Sequence, residues 1–195
     1  MAEEDLIVKK IVIVGDGACG KTCLMLVYEK GEFPEGYIPT IFENTTKKVE
    51  YDGKMIELRL WDTAGQEDYA RLRPLAYKDT QVVLMAFSIV NRDSFDNIKT
   101  AWYPEYQEHL KDAEIILVGT KKDLVEDPAT LEELKSKGET SVTLEEGTDM
   151  AKDIGAYCYR ECSAKTKTGV QEVFEEAIKA SFLKTKKPKK FCIVL

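Results

Sequence analysis

Residues 12–25 read VIVGDGACGKTCLM. A run of apolar β-formers breaks into three glycines within six positions, Gly15, Gly17 and Gly20. Lys21 and Thr22 follow, and the chain turns apolar again. The pattern is a buried strand, a tight loop and the start of a helix. The loop fits G-x-x-x-x-G-K-[ST], in which glycines let the backbone curl so that its N–H groups face anionic oxygens. Here Gly15, Asp16, Gly17, Ala18, Cys19 and Gly20 form the cradle, and Lys21, Thr22 and Cys23 open the helix. That helix adds its positive N-terminal end. Lys21 is expected to reach the β- and γ-phosphates of a nucleotide, and the Thr22 hydroxyl to ligate Mg²⁺.

Outward from the loop, apolar β-rich runs alternate with amphipathic stretches. LIVKKIVIVG is a strand, and KTCLMLVYEKG a helix ending near Gly31. FPEGYIPTIFENTT has no clear period and reads as a long loop, a length that is usually functional. TKKVEYDGKMIELRLWD is a hairpin turning at Asp52-Gly53. QVVLMAFSI and EIILVGTKKD are buried strands, and AYCYRECSA is the last strand. DSFDNIKTAWYPEYQEHL starts with an Asp/Ser cap and continues as a helix. PATLEELKSKG is a short solvated helix. TLEEGTDMAKDIG carries a Thr-x-x-Glu capping box, and VQEVFEEAIKASFL is the last helix. Such alternation predicts an α/β fold, a mostly parallel six-stranded sheet with one antiparallel edge strand and helices on both faces.

The 195 residues suit one domain and a tail, with a net charge of −7. An acidic chain argues against nucleic acid as a partner. No run approaches a membrane span of ~18–20 apolar residues. The acidic N-terminus has no signal-peptide core, and Ala2 rules out N-myristoylation. Five cysteines without a signal peptide read as reduced and cytosolic. Two C-x₃-C pairs suggest zinc, but four residues of a strand span ~13 Å, too far for two zinc–thiolate bonds of ~2.3 Å.

The base is read from VGTKKDL, residues 118–124. Asp123 can accept from both the N1–H and the 2-amino group of guanine, a donor pair that adenine lacks. The aliphatic stem of Lys121 can pack on the ring face. In CSAK, residues 162–165, backbone N–H groups near Ser163 and Ala164 can meet the guanine oxygen; Lys165 caps a helix or meets a phosphate. LWDTAGQED, residues 60–68, supplies the chemistry. Asp62 ends a strand and can hold the Mg²⁺ shell through water. Gly65 offers the γ-phosphate a backbone N–H, and Gln66 can orient an attacking water. Phosphoryl transfer asks for positioning rather than covalent help, so a neutral Gln suffices. Thr40, in YIPTIFE, can complete the Mg²⁺ coordination when a γ-phosphate is present, so that losing the phosphate releases the loop.

Together these segments resemble a small GTPase of the Ras superfamily, from about Lys10 to Leu183. YIPTIFEN, WDTAGQEDYARLRPLAY, WYPE at residues 102–105 and TKKD resemble the Rho family specifically. The acidic segment of residues 125–147 sits where Rho proteins carry an insert helix. The resemblance implies a GTP/GDP switch with Mg²⁺ and slow hydrolysis, in which Gln66, Lys21 and Thr40 serve the reaction. Phe33 matches the aromatic that closes over the guanine edge, Tyr37 the residue that reaches over the phosphates, and Asn44 the target of ADP-ribosylating toxins. Implied partners are a guanine nucleotide exchange factor, a GTPase-activating protein, a prenyl-binding dissociation inhibitor, and effectors such as kinases or formins of the actin cytoskeleton. Gly36, Thr45 and Thr46 depart from the Rho pattern and bear on the choice of effector and exchange factor. Arg71 and Arg73 are expected to contact partners.

Residues 1–183 are thus expected to form the G domain and 184–195 a tail. KTKKPKKFCIVL ends in a C-a-a-X box with Leu195 last, which predicts geranylgeranylation of Cys192. One lipid chain anchors only marginally, and the lysines supply a second signal at an anionic leaflet. The expected location is the cytoplasmic face of a membrane, with a cytosolic pool. Competing readings are a GTP-binding adaptor that hardly hydrolyses, against which Gln66 argues, and a P-loop kinase, which would need an arginine-bearing lid.

Overall fold

The computed structural model describes residues 6–36 and 42–183. Six strands, β1 (Ile7–Val14), β2 (Phe42–Tyr51), β3 (Lys54–Thr63), β4 (Val82–Ser88), β5 (Glu114–Thr120) and β6 (Cys158–Glu161), form one sheet in the order β2-β3-β1-β4-β5-β6. All neighbours are parallel except β2 and β3. The helices are α1 (Lys21–Lys30), α2 (Arg92–Asn97), α3 (Tyr103–His109), α4 (Pro128–Ser136), α5 (Leu144–Asp153) and α6 (Val170–Ser181). The expected fold class is the observed one.

The alternation along β1 explains why both faces are covered. Ile11 and Ile13 enter one core with Leu24, Tyr28 and Phe174, while Val12 and Val14 enter the other with Phe87, Phe95 and Trp102. Tyr28 of α1 stacks on Phe174 of α6 with ring centroids 3.6 Å apart, which fixes the helix that follows the glycine loop. Chain order runs outward from β1 in both directions, toward β3 on one side and β4 on the other. The loop after β1 therefore lies at the point where the strand order reverses, the place where open α/β sheets bind ligands.

Several boundaries differ from the sequence reading. Strand β2 begins at Phe42, inside the stretch read as loop, because its backbone pairs with β3 as far as Phe42 opposite Thr63. The turn at Asp52-Gly53 has φ 52° and 70°, the pair of positive values that a tight hairpin requires. The helix expected from Asp93 is capped by Asn91, whose side chain accepts from the Ser94 N–H. It is also interrupted by a π-helical turn, Ile98–Trp102, before α3. The last strand is confined to Cys158–Glu161. The capping box at Thr143 and Glu146 is present. Within residues 125–147 the helix α4 covers Pro128–Ser136, and Leu144 onward belongs to α5.

Candidate functional site

The glycine loop, the end of β3 and the loop after β5 meet around a cavity of about 280 Å³. Gly17, Ala18, Gly20, Lys21, Thr22 and Cys23 line it from the first loop, Ala64, Gly65 and Gln66 from the second, and Lys121 from the third. Gly15 does not reach it. A Cβ on Gly15 would stand 2.1 Å from the Ala86 carbonyl, and its φ of 142° is one that glycine tolerates. The loop is therefore seated directly on β4. Lys21 is buried, and its ammonium donates to the carbonyls of Gly15 and Asp16 at 2.8 and 2.7 Å. That holds a positive charge inside the curl of the glycine loop.

The Cys19 side chain turns away from the cavity into the core, with Sγ 3.6 Å from the Ala86 carbonyl. Burial raises its thiol pKa above the usual value. The Thr120 hydroxyl lies against the Cys19 carbonyl and 2.9 Å from that of Phe87, tying the glycine loop to β4 and β5. At Asp16 the two carboxylate oxygens are held by Trp102 Nε1 and Asn97 Nδ2, each at 2.7 Å.

Gly65 rests on the glycine loop so closely that a Cβ there would lie 2.4 Å from backbone atoms of Gly15, Asp16 and Gly17. The Gln66 Cγ stands 3.9 Å from the position a Cβ on Gly17 would take. Asp62 is buried at the end of β3, and it shares a second cavity, of about 160 Å³, with Thr22. The Thr22 and Asp62 donors are oxygens, which suits Mg²⁺. Among the described residues no three His, Cys, Asp or Glu side chains are grouped to hold a metal by themselves. Mg²⁺ commonly takes one or two protein ligands and completes its shell with phosphate and water, so this pair fits that cation.

On the far side, Lys121 has φ 60°, an uncommon left-handed conformation for a non-glycine residue. Asp123 accepts from the Ser163 hydroxyl at 2.6 Å, and Ser163 Oγ accepts from the Thr166 N–H at 3.0 Å. The Lys122 N–H donates to the Cys162 carbonyl at 3.1 Å, joining the two loops at backbone level. Ala164 packs partly buried against the core, Lys165 is exposed, and Phe33 is 43% exposed beside the cavity-lining Pro34. Tyr37, Thr40 and Cys192 lie outside the described residues.

A strand–loop–helix cradle, the loop after β5 and a glutamine turn meet on one cavity, and relatives decide its type. The Ras family model matches residues 10–182. The chain is 55% identical to the GTP-binding protein rho5 of Schizosaccharomyces pombe, over 96% of this chain and 97% of the relative. The chain belongs to the Ras family, as a Rho-type small GTPase. It is a GTP-hydrolysing enzyme, and the adaptor reading is not favoured.

The segment after β3, which carries WDTAGQEDYARLRPLAY, holds one correction. Arg71 is exposed, as a partner contact requires, but Arg73 is not. Its side chain is 8% exposed and pairs with Glu105. Sequence reasoning also missed Asn97, Trp102 and Thr120. The pattern around Asn97 and Trp102 reads simply as helix. Nothing within WYPE points to the target of its tryptophan, Asp16, 86 residues earlier.

Proposed function

We propose that this protein is a Mg²⁺-dependent GTP/GDP switch of one G domain, residues 1–183, anchored by a prenylated basic tail. The reading is carried by one observation: the Gly65–Gln66 turn rests on the glycine loop and lines the same cavity as Lys21. Lys21 and the N–H groups of the glycine loop bind the phosphates. Bound Mg²⁺ would neutralise charge on the β- and γ-phosphates, and Thr22 and Asp62, with Thr40, would hold it. Gln66 orients the attacking water, and the Gly65 N–H meets the γ-phosphate. Asp123 reads the guanine edge while Lys121, Ser163, Ala164, Lys165 and Phe33 border the base, and Tyr37 covers the phosphates.

Among the described residues no arginine lines the cavity. Unaided hydrolysis is therefore slow, and an activating protein supplies an arginine in trans, worth ~10³–10⁵ in rate for GTPases. An exchange factor, a dissociation inhibitor and effectors such as kinases or formins complete the cycle. Among the described residues no helix is long and apolar enough to cross a membrane. Attachment falls to Cys192 and the lysines of residues 184–190, with a cytosolic pool and action on the cytoskeleton.

The test is the nucleotide that co-purifies with the protein, together with the same extraction from Gln66→Leu. GDP from the parent and GTP from the variant are expected. An adenine nucleotide would overturn the reading of Asp123, and parent-rate hydrolysis by the variant would overturn that of Gln66.

A further inference from the structure

Arg73 is placed where it can govern the turn that carries Gln66. Its Nη1 donates to the carbonyl of Gln66 at 3.1 Å and, at a longer 3.4 Å, to that of Ala64. These are the two carbonyls that flank Gly65. The opposite side of Gly65 rests on the glycine loop. The turn is thus held from both sides, by a guanidinium outside and by the phosphate cradle beneath.

Arg73 is itself fixed. Nε and Nη2 make a two-point pair with Glu105 at 2.9 and 2.7 Å, and the Tyr77 hydroxyl donates to the same carboxylate. The guanidinium lies over the Trp102 ring, 4.7 Å from its centroid. Trp102 donates in turn to Asp16, so the contacts close back on the glycine loop. A lysine would keep the charge but not the flat fork that reaches both Glu105 and the turn. The Gln66 side chain is exposed, so its aim depends on the backbone that carries it.

We infer that Arg73, oriented by Glu105, is a positioning residue for GTP hydrolysis that fixes the Ala64–Gln66 turn over the glycine loop. The inference rests on the role of Gln66 proposed above.

The experiment is single-turnover hydrolysis of GTP by the full chain carrying Arg73→Lys, Glu105→Gln or Gln66→Leu, and by the Arg73→Lys, Gln66→Leu double variant. Release of a fluorescent GDP is measured on each. Arg73→Lys and Glu105→Gln are expected to hydrolyse about tenfold more slowly, the scale of one charge-assisted hydrogen bond, while GDP release stays near the parent rate. In the Gln66→Leu background, Arg73→Lys is expected to slow hydrolysis no further, because there is no glutamine left to aim. Hydrolysis at the parent rate in both single variants overturns the inference, as does an equal further slowing in the Gln66→Leu background. Should Arg73→Lys fail to hold nucleotide, Glu105→Gln decides alone. Loss of nucleotide from both assigns the pair a structural role and overturns the inference too. Parent-rate hydrolysis by Gln66→Leu is a different failure: it removes the Gln66 reading and takes this inference with it.

Discussion

The Ser163 hydroxyl donates to the Asp123 carboxylate at 2.6 Å, from the loop after β6 to the loop after β5. Ser163 is almost fully buried and also accepts from Thr166, so its hydroxyl is fixed at both ends. In the base-reading role proposed for Asp123, a carboxylate held this way keeps its aim. Ser163→Ala should release GDP about fivefold faster, the value of a hydrogen bond of ~1 kcal/mol. Asp123→Asn should go further and lose the preference for guanine, because an amide cannot accept from both guanine donors. Displacement of a fluorescent GDP by unlabelled GDP, GTP and xanthosine diphosphate measures both. An unchanged release rate in Ser163→Ala would mean that Asp123 is oriented by something else.

Gly65 is expected to be irreplaceable for a steric reason. A Cβ there meets backbone of Gly15, Asp16 and Gly17 at 2.4 Å, and backbone cannot swing aside as a side-chain tip can. Gly65→Ala should push the Gln66 turn off the glycine loop. GDP binding should survive, since the base contacts lie elsewhere, while GTP hydrolysis should fall by about tenfold or more. Stopped-flow nucleotide binding and single-turnover hydrolysis on the same variant separate the two. Equal loss of both would place Gly65 in the folding of the loop rather than in hydrolysis.

The glycine loop was legible because its function is written within eight consecutive residues and its flanks are strongly apolar. β4 and β5 were legible because they are buried along almost their whole length. The start of β2 was not, since Phe42–Thr46 owe their extended form to pairing with β3 rather than to any period of their own. The burial of Arg73 was hidden for a similar reason: Glu105, the partner that removes it from the surface, lies 32 residues away. The cap at Asn91 was missed because Asp93 and Ser94 carry the same chemistry two and three positions later, and only geometry chooses among them.

The acidic limb of stability should have a component at the junction of the insert and α5. Hydrogen bonds from Arg92, and then from the Thr143 N–H, hold the Glu146 carboxyl down at about 2, against an ordinary 4.5. Because the folded value is the lower one, this contribution is present above about 4.5 and is lost as pH falls from there toward about 2. Arg92 also donates to the carbonyls of Thr140 and Ser141, so the end of the insert loosens with it. Comparing urea unfolding of the parent and Glu146→Gln between pH 7 and pH 3 isolates this group from other carboxylates. The parent should be the more stable at neutral pH, and the gap should close on acidification. A constant gap would assign the loss to packing.

The two donors on Asp16 give the glycine loop a fixed outer wall. Trp102 is buried and Asn97 sits one turn earlier, and the π-helical turn of Ile98–Trp102 is what lets both point at one carboxylate. Trp102→Phe removes the indole donor but also leaves a void, so its effect alone is ambiguous. Asp16→Ala removes the acceptor without opening the core, and leaves the Trp102 N–H buried against nothing. Each should cost about 1–3 kcal/mol. Unfolding is compared at one GDP concentration, since bound nucleotide itself stabilises the folded state. The cycle of the two singles and the double then gives the coupling directly. It should be at least ~1 kcal/mol, with faster GDP release in every variant, because the glycine loop has lost its anchor to the π-helical turn. A coupling near zero would mean that the indole and the carboxylate are neighbours that do not hold one another, and that Thr120 and Ala86 alone keep the loop in place.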